Sequence, residues 1–143
     1  MSKIGISREL IITDEELSRP RMAVEKERLN AQFPNFKFYG RSGAITSIKG
    51  FLNTNWKTKY NIKIDVPDGY PFSIPTIWII GGVDSSCPHK YTNDSICVMR
   101  SDEWKSFLTL AFMVARTAIW LNKYESWKES GRWPGRDQHR DYE

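Results

Sequence analysis

The chain has 143 residues, 40% of them apolar and 27% charged, with 13% aromatic residues and six tryptophans. That is one domain's worth of chain, able to bury roughly two thirds of its unfolded surface and too aromatic to stay disordered over most of its length. A net charge of +4 carried by scattered residues points away from nucleic acid as a partner. The two cysteines, Cys87 and Cys97, do not make a disulfide framework. Met1-Ser2-Lys3-Ile4-Gly5 lacks an apolar signal core, and the longest apolar stretch, Phe107 to Leu121, contains Arg116 and is too short to span a bilayer. The expectation is a soluble protein of the reducing cytoplasm with no membrane partner.

In chain order, Thr13-Asp14-Glu15-Glu16 fits a capping box. Pro20 suits a first helical turn, so the spacing predicts a helix capped by Ser18 that runs to about Gln32 and stops at Pro34. Met22, Leu29 and Phe33 would face inward, while Glu25-Lys26-Glu27-Arg28 reads as a solvated face. Phe36 to Tyr39 and Tyr60 to Val66 alternate with period two, with Ile45 to Leu52 as the strand between them and turn signals at Gly40 to Gly43 and Asn53-Thr54-Asn55. Thr76 to Ile80 adds a short apolar strand, so residues 36–80 are predicted to form a four-stranded antiparallel meander. Pro67 to Pro75 holds three prolines between the last two strands, which reads as a rigid connection.

Gly81 to Lys105 is a stretch of about 25 residues with no clear period, and irregular segments of that size inside small domains usually carry function. Phe107 to about Glu129 is a second helix whose apolar face (Phe107, Leu108, Ala111, Phe112, Val114, Ala115, Ala118, Ile119, Leu121) is broad enough to cover the sheet. Arg116, Trp120, Tyr124 and Trp127 form another stripe, read as packing for a C-terminal tail. Gly131 would break the helix and Trp133-Pro134-Gly135 fold back. The fold class is α+β, as one domain over 1–143 with a core of about 18–125 and a tail over 126–143.

Cys97 ends the irregular stretch, in Asn93-Asp94-Ser95-Ile96-Cys97-Val98. A cysteine there is either a small buried hydrophobe or a nucleophile whose thiolate forms a thioester that an amine later resolves. His89, eight residues earlier, is either an ordinary loop residue or a group that donates to an oxyanion or moves a proton near neutral pH. Cys87, His89 and Cys97 do not have a standard zinc-finger spacing, and a fourth ligand would have to come from afar, such as His139. The zinc deaminase signature is absent.

The order of these parts resembles the ubiquitin-conjugating enzyme family. They are Gly50-Phe51, Tyr60 to Pro67, Tyr70-Pro71-Phe72 with Pro75, Ile96-Cys97, Trp104 and the helix from Phe107. The resemblance implies that Cys97 is the thioester cysteine. Where the family has His-Pro-Asn, this chain reads Cys87-Pro88-His89, so the asparagine's role in stabilising the oxyanion or the active-site loop would pass to His89, together with backbone N–H groups of the loop. The position two after the cysteine, often aspartate in the family, is Met99. Asp102 and Glu103 are the nearby acids, read as surface charges. The family's last two helices are replaced by Trp127, Trp133-Pro134-Gly135 and His139, an ending that looks like compact bacterial members of antiphage CBASS or other ubiquitin-like operons. The implied partners are a ubiquitin-like modifier or a CBASS nucleotidyltransferase, an activating enzyme and a target protein, with no metal and no cofactor. The alternative is a non-catalytic docking module of the same fold.

Overall fold

A computed structural model describes residues 7–135. Strands β1 (Lys37–Arg41), β2 (Ala44–Asn53), β3 (Lys59–Asp65) and β4 (Thr76–Ile79) form one antiparallel sheet in the order β1-β2-β3-β4. The period-two pattern fixes which face is covered: Ile48, Ile62, Ile64 and Ile77 are buried, and Lys49, Lys63 and Trp78 stand in one row on the other face. The β1–β2 turn uses Ser42 and Gly43, both at positive φ (53° and 80°), the geometry of a tight right-twisted hairpin. Gly50 leaves room for Phe36, because a Cβ there would overlap its ring.

Helix α2 (Leu110–Ser130) closes the core over the sheet with Leu110, Met113, Val114 and Leu121. It begins later than the apolar pattern predicts. Thr109 is the cap, its hydroxyl accepting from the Phe112 N–H at 3.1 Å. Phe107 precedes it in a turn and Leu108 in a bridge to Ile11, the Phe107 carbonyl accepts from the Ile12 N–H, and Phe107 is exposed. Gly131, at φ 79°, ends the helix in a left-handed turn. Among the described residues no helix is long and apolar enough to cross a membrane.

Helix α1 (Arg21–Gln32) starts after Pro20 rather than at Ser18. A residue preceding proline is pushed out of helical geometry, so Arg19 closes the separate 3-10 turn of Asp14–Glu16 instead, its N–H bonded to the Glu16 carbonyl at 3.0 Å. The capping box belongs to that turn: the Glu16 carboxylate accepts from the Thr13 N–H at 3.0 Å. Leu29 is buried and Met22 and Phe33 are half-buried, but the deepest positions also include Val24 and Glu25.

Glu25 is the exception to the solvated reading of its segment, in which Lys26 and Glu27 are exposed. Glu25 is 0% exposed. Its carboxylate accepts from the Leu110 N–H at 2.9 Å, from Arg21 Nε at 2.8 Å, and from the Tyr70 hydroxyl. Arg21 in turn donates to the Leu108 and Ser106 carbonyls at 2.6 Å each. This buried carboxylate thus takes an unpaired N–H at the start of α2 and ties α1 to the proline-rich connection. That connection is anchored again where Trp104 Nε1 donates to the Pro71 carbonyl at 2.8 Å.

Candidate functional site

The irregular stretch contains a short hairpin. Lys90 pairs with Ile96, and the flanking bonds run from the Cys97 N–H to the His89 carbonyl (2.9 Å) and from the Tyr91 N–H to the Ser95 carbonyl (2.8 Å). The Ile96 N–H donates to the Ile77 carbonyl at 3.0 Å, which docks the hairpin on β4. Its tip is tightened by Asn93, whose Oδ1 accepts from the Ser95 N–H and hydroxyl, and by Asp94 at φ 76°.

This register brings the two predicted site residues together. His89 and Cys97 are opposite one another across the pairing, and Cys97 is half-buried. His89 sits at φ 61°, a left-handed conformation that asparagine and histidine adopt far more readily than most side chains. That demand gives a physical reason for histidine to stand where the resemblance places asparagine. The His89 carbonyl also accepts from Trp120 Nε1 at 3.0 Å. The Tyr124 hydroxyl accepts from the Asp84 N–H at 2.8 Å. The second stripe of α2 therefore packs against Trp133, as its spacing suggests, and also backs the site loop.

The Cys97 N–H is committed to His89 and the Ile96 N–H to Ile77, so neither is open to an incoming oxyanion.

Tyr91 is the neighbour that sequence reasoning missed. In a pairing of Lys90 with Ile96, Tyr91 and Cys97 lie diagonally on one face, within reach of an aromatic side chain. Its hydroxyl hydrogen-bonds to Cys97, and burial followed by that contact pushes the phenol up to about 12, so it stays a neutral donor. The thiol itself donates to the Met99 carbonyl at 3.4 Å, leaving the sulfur lone pairs to accept from Tyr91. The signal was available only as hairpin register, which the unpatterned sequence does not display.

A cavity of about 380 Å³ flanks the hairpin between Tyr91, Ile96 and Met99 on one side and Ile74 and Ile77 on the other. No charged side chain lines it. Asp102 and Glu103 both pair with Arg100, at 3.3 and 3.5 Å, in a 3-10 turn over Ser101–Glu103. Cys87 differs from Cys97 throughout: it is buried in the core, and burial pushes its thiol up to about 11. Among the described residues no group of three potential metal ligands gathers, and His139 lies outside them.

A family model described as type II CBASS E2 protein matches residues 25–140. Two solved structures share the fold. A ubiquitin-conjugating enzyme E2 from Plasmodium falciparum is 22% identical, with a TM-score of 0.55 over 71% of this chain and 96% of its own. One from Plasmodium vivax is also 22% identical, with a TM-score of 0.50 over 69% of this chain and 98% of its own. At that identity the likeness is one of fold. No curated protein matches the chain. Because the family match runs from within α1 through the sheet and the site loop to beyond α2, the chain belongs to the type II CBASS E2 family, whose members are ubiquitin-conjugating-like proteins.

Proposed function

We propose that Cys97 carries a protein C-terminus as a thioester and passes it to a target amine, in antiphage defence. The acyl group would come from a ubiquitin-like modifier or a CBASS nucleotidyltransferase, made reactive by an activating enzyme. The observation that carries this reading is the setting of Cys97: half-buried on a pinned hairpin, with a neutral phenol at its sulfur and His89 directly opposite. Two steps balance. The Cys97 thiolate attacks the activated carbonyl, a C–S bond forms, and the activating group leaves. A neutral target amine, a lysine side chain, then attacks the thioester; a C–N bond forms, the C–S bond breaks, and Cys97 departs as thiolate.

His89 is the side-chain donor for the tetrahedral oxyanion, a contribution of about 3 kcal/mol for one well-placed donor, while Tyr91 serves the sulfur. His89 can also take the proton that the amine releases. The altered motif Cys87-Pro88-His89 favours the competing reading of a docking module. One experiment separates them. Protein mixed with modifier, activating enzyme and ATP should give an adduct on a non-reducing gel that thiol reagents remove. No adduct with an activating system that loads another conjugating enzyme would leave the docking role.

A further inference from the structure

His89 is gripped at two places by residues outside its own loop. Trp120 Nε1 holds its carbonyl at 3.0 Å, the same carbonyl that receives the Cys97 N–H. Its imidazole lies against Trp133, ring centroids 5.0 Å apart and planes inclined by 56°. Trp133 and Trp120 are themselves in contact, 5.3 Å apart at 59°. Trp120 is further stacked on Tyr124 at 5.2 Å, and Tyr124 on Trp127 at 6.0 Å, so the pair rests on a continuous aromatic column along α2.

Trp133 reaches the site only because of how α2 ends. Gly131 takes a left-handed conformation that reverses the chain, and two residues later the indole arrives over the helix's own Trp120. The placement works against hydrogen bonding: Trp133 Nε1 is buried with no hydrogen-bond partner among the described residues. A buried unpaired donor calls for an explanation, and the contact the indole makes with the site is with the His89 ring.

We propose that Trp133 is a positioning residue for His89: Trp120 fixes the main chain of the histidine, and Trp133 walls its imidazole into the orientation that serves the tetrahedral intermediate on Cys97. This rests on the reading of Cys97 and His89 given above. It assigns a role in the transfer step to a residue beyond α2, through a ring that does not itself touch the reacting atoms.

The test uses single-turnover discharge. The full chain is loaded chemically from a short peptide thioester ending in Gly-Gly, and discharge to free lysine is followed in five proteins: the parent, His89→Ala, Trp133→Ala, Trp133→Phe and the His89→Ala/Trp133→Ala double variant. His89→Ala should slow discharge by on the order of ten- to a thousandfold. Trp133→Ala should slow it by about tenfold, within what misplacement of a catalytic group costs. Trp133→Phe, which keeps an aromatic wall, should recover most of that loss. The double variant should be no slower than His89→Ala within about twofold, because a wall has nothing to position once the ring is gone.

A second readout does not depend on turnover. In a His139→Gln background, His89 is the remaining histidine of the two. Its ring resonances and titration midpoint, followed by NMR, should move in Trp133→Ala and return toward the parent in Trp133→Phe. Slow discharge in His89→Ala with parental rates in Trp133→Ala would overturn the positioning role alone. So would full multiplication of the two losses in the double variant, the signature of a merely structural tryptophan. Parental discharge in His89→Ala, or no adduct on Cys97 in any protein, would overturn the underlying reading instead.

Discussion

Two thiols ten residues apart in one loop stand in opposite surroundings. Cys87 precedes Pro88 and faces the core at 5% exposure, where the lost solvation of a thiolate pushes it up to about 11. Cys97 lies on the far arm of the hairpin, half-buried, with the Met99 carbonyl and the Tyr91 hydroxyl at its sulfur. The element between them is the left-handed residue His89, which turns the chain from core to rim. A thiolate nucleophile needs partial exposure and nearby donors. The contrast therefore lies in the surroundings of two identical side chains.

The strongest way to break this contrast is to exchange the two thiols' roles. Cys97→Ser should cut loading by about a thousandfold or more, the low end of what loss of an enzymatic nucleophile costs, and any adduct that forms should resist thiol reagents as an oxyester. Cys87→Ser should load within about threefold of the parent while losing about 1–3 kcal/mol of stability, because it places a hydroxyl in an apolar pocket. Gel-based loading and urea denaturation measure the two effects. Lost loading in Cys87→Ser alone would invert the assignment.

The carboxylates divide in the same way. Asp102 and Glu103 serve a surface arginine, whereas Glu25 is sealed under α2 with Arg21, Tyr70 and the Leu110 N–H. Glu25→Ala leaves Arg21 without its partner in the interior and should cost about 3–5 kcal/mol in urea denaturation. Below the transition, alkylation of Cys97 should keep its parental rate, since the hub supports the fold and not the sulfur. A fall in both together would show that the two regions are coupled.

A smaller effect separates Cys87 by pH. Its thiol is neutral in the fold to about 11, against 9.0 in an unperturbed cysteine. A group whose folded pKa is raised contributes stability that is fully present below the unfolded value and is lost as pH climbs through the folded one. The window is therefore pH 9 to 11. The parent should lose stability relative to Cys87→Val between pH 9 and 10, read from thermal midpoints. A gap that stays constant from pH 7 to 10 would show that the buried thiol titrates alike in the folded and unfolded chains.

What could be read in the sequence follows from which physics leaves a local trace. The meander was legible because Ile48, Ile62 and Ile64 alternate with charged neighbours, and one buried face enforces that alternation. Helix starts were less legible. Phe107 continues the apolar pattern of α2 yet is exposed, because Thr109 caps the helix and the preceding residues pair with the N-terminal segment. Glu25 was misread because its partners lie 45 and 85 positions away in the chain, which no local pattern encodes. At the site, Cys97 and His89 stood out by residue type and by resemblance. The fold-back of Trp133 after Gly131 was legible from its turn residues, but its meeting with His89 was not, and Tyr91 was missed because its place depends on hairpin register.

Tyr91 carries the smallest and most local of these expectations. A thiol has one proton, and here it goes to the Met99 carbonyl, so the bond with Tyr91 is donated by the phenol to sulfur. With the phenol pushed up to about 12, that donor is intact from pH 6 to 9. When the thiol ionises to react, a hydrogen bond to the charged sulfur is worth about 1.5–3 kcal/mol when dry, and less at a residue that keeps 44% of its surface exposed. Tyr91→Phe keeps the ring and removes only the donor. It should slow iodoacetamide alkylation of Cys97 by about three- to tenfold at pH 7 to 8, scored per cysteine by peptide mass spectrometry. Cys87 should show no change. Tyr91→Ala separates donation from shielding: it loses the donor but opens the sulfur to reagent, so its rate should exceed that of Tyr91→Phe. Faster alkylation in Tyr91→Phe than in the parent would mean that the hydroxyl covers the sulfur without activating it, and the thiol's advantage over Cys87 would then rest on exposure alone.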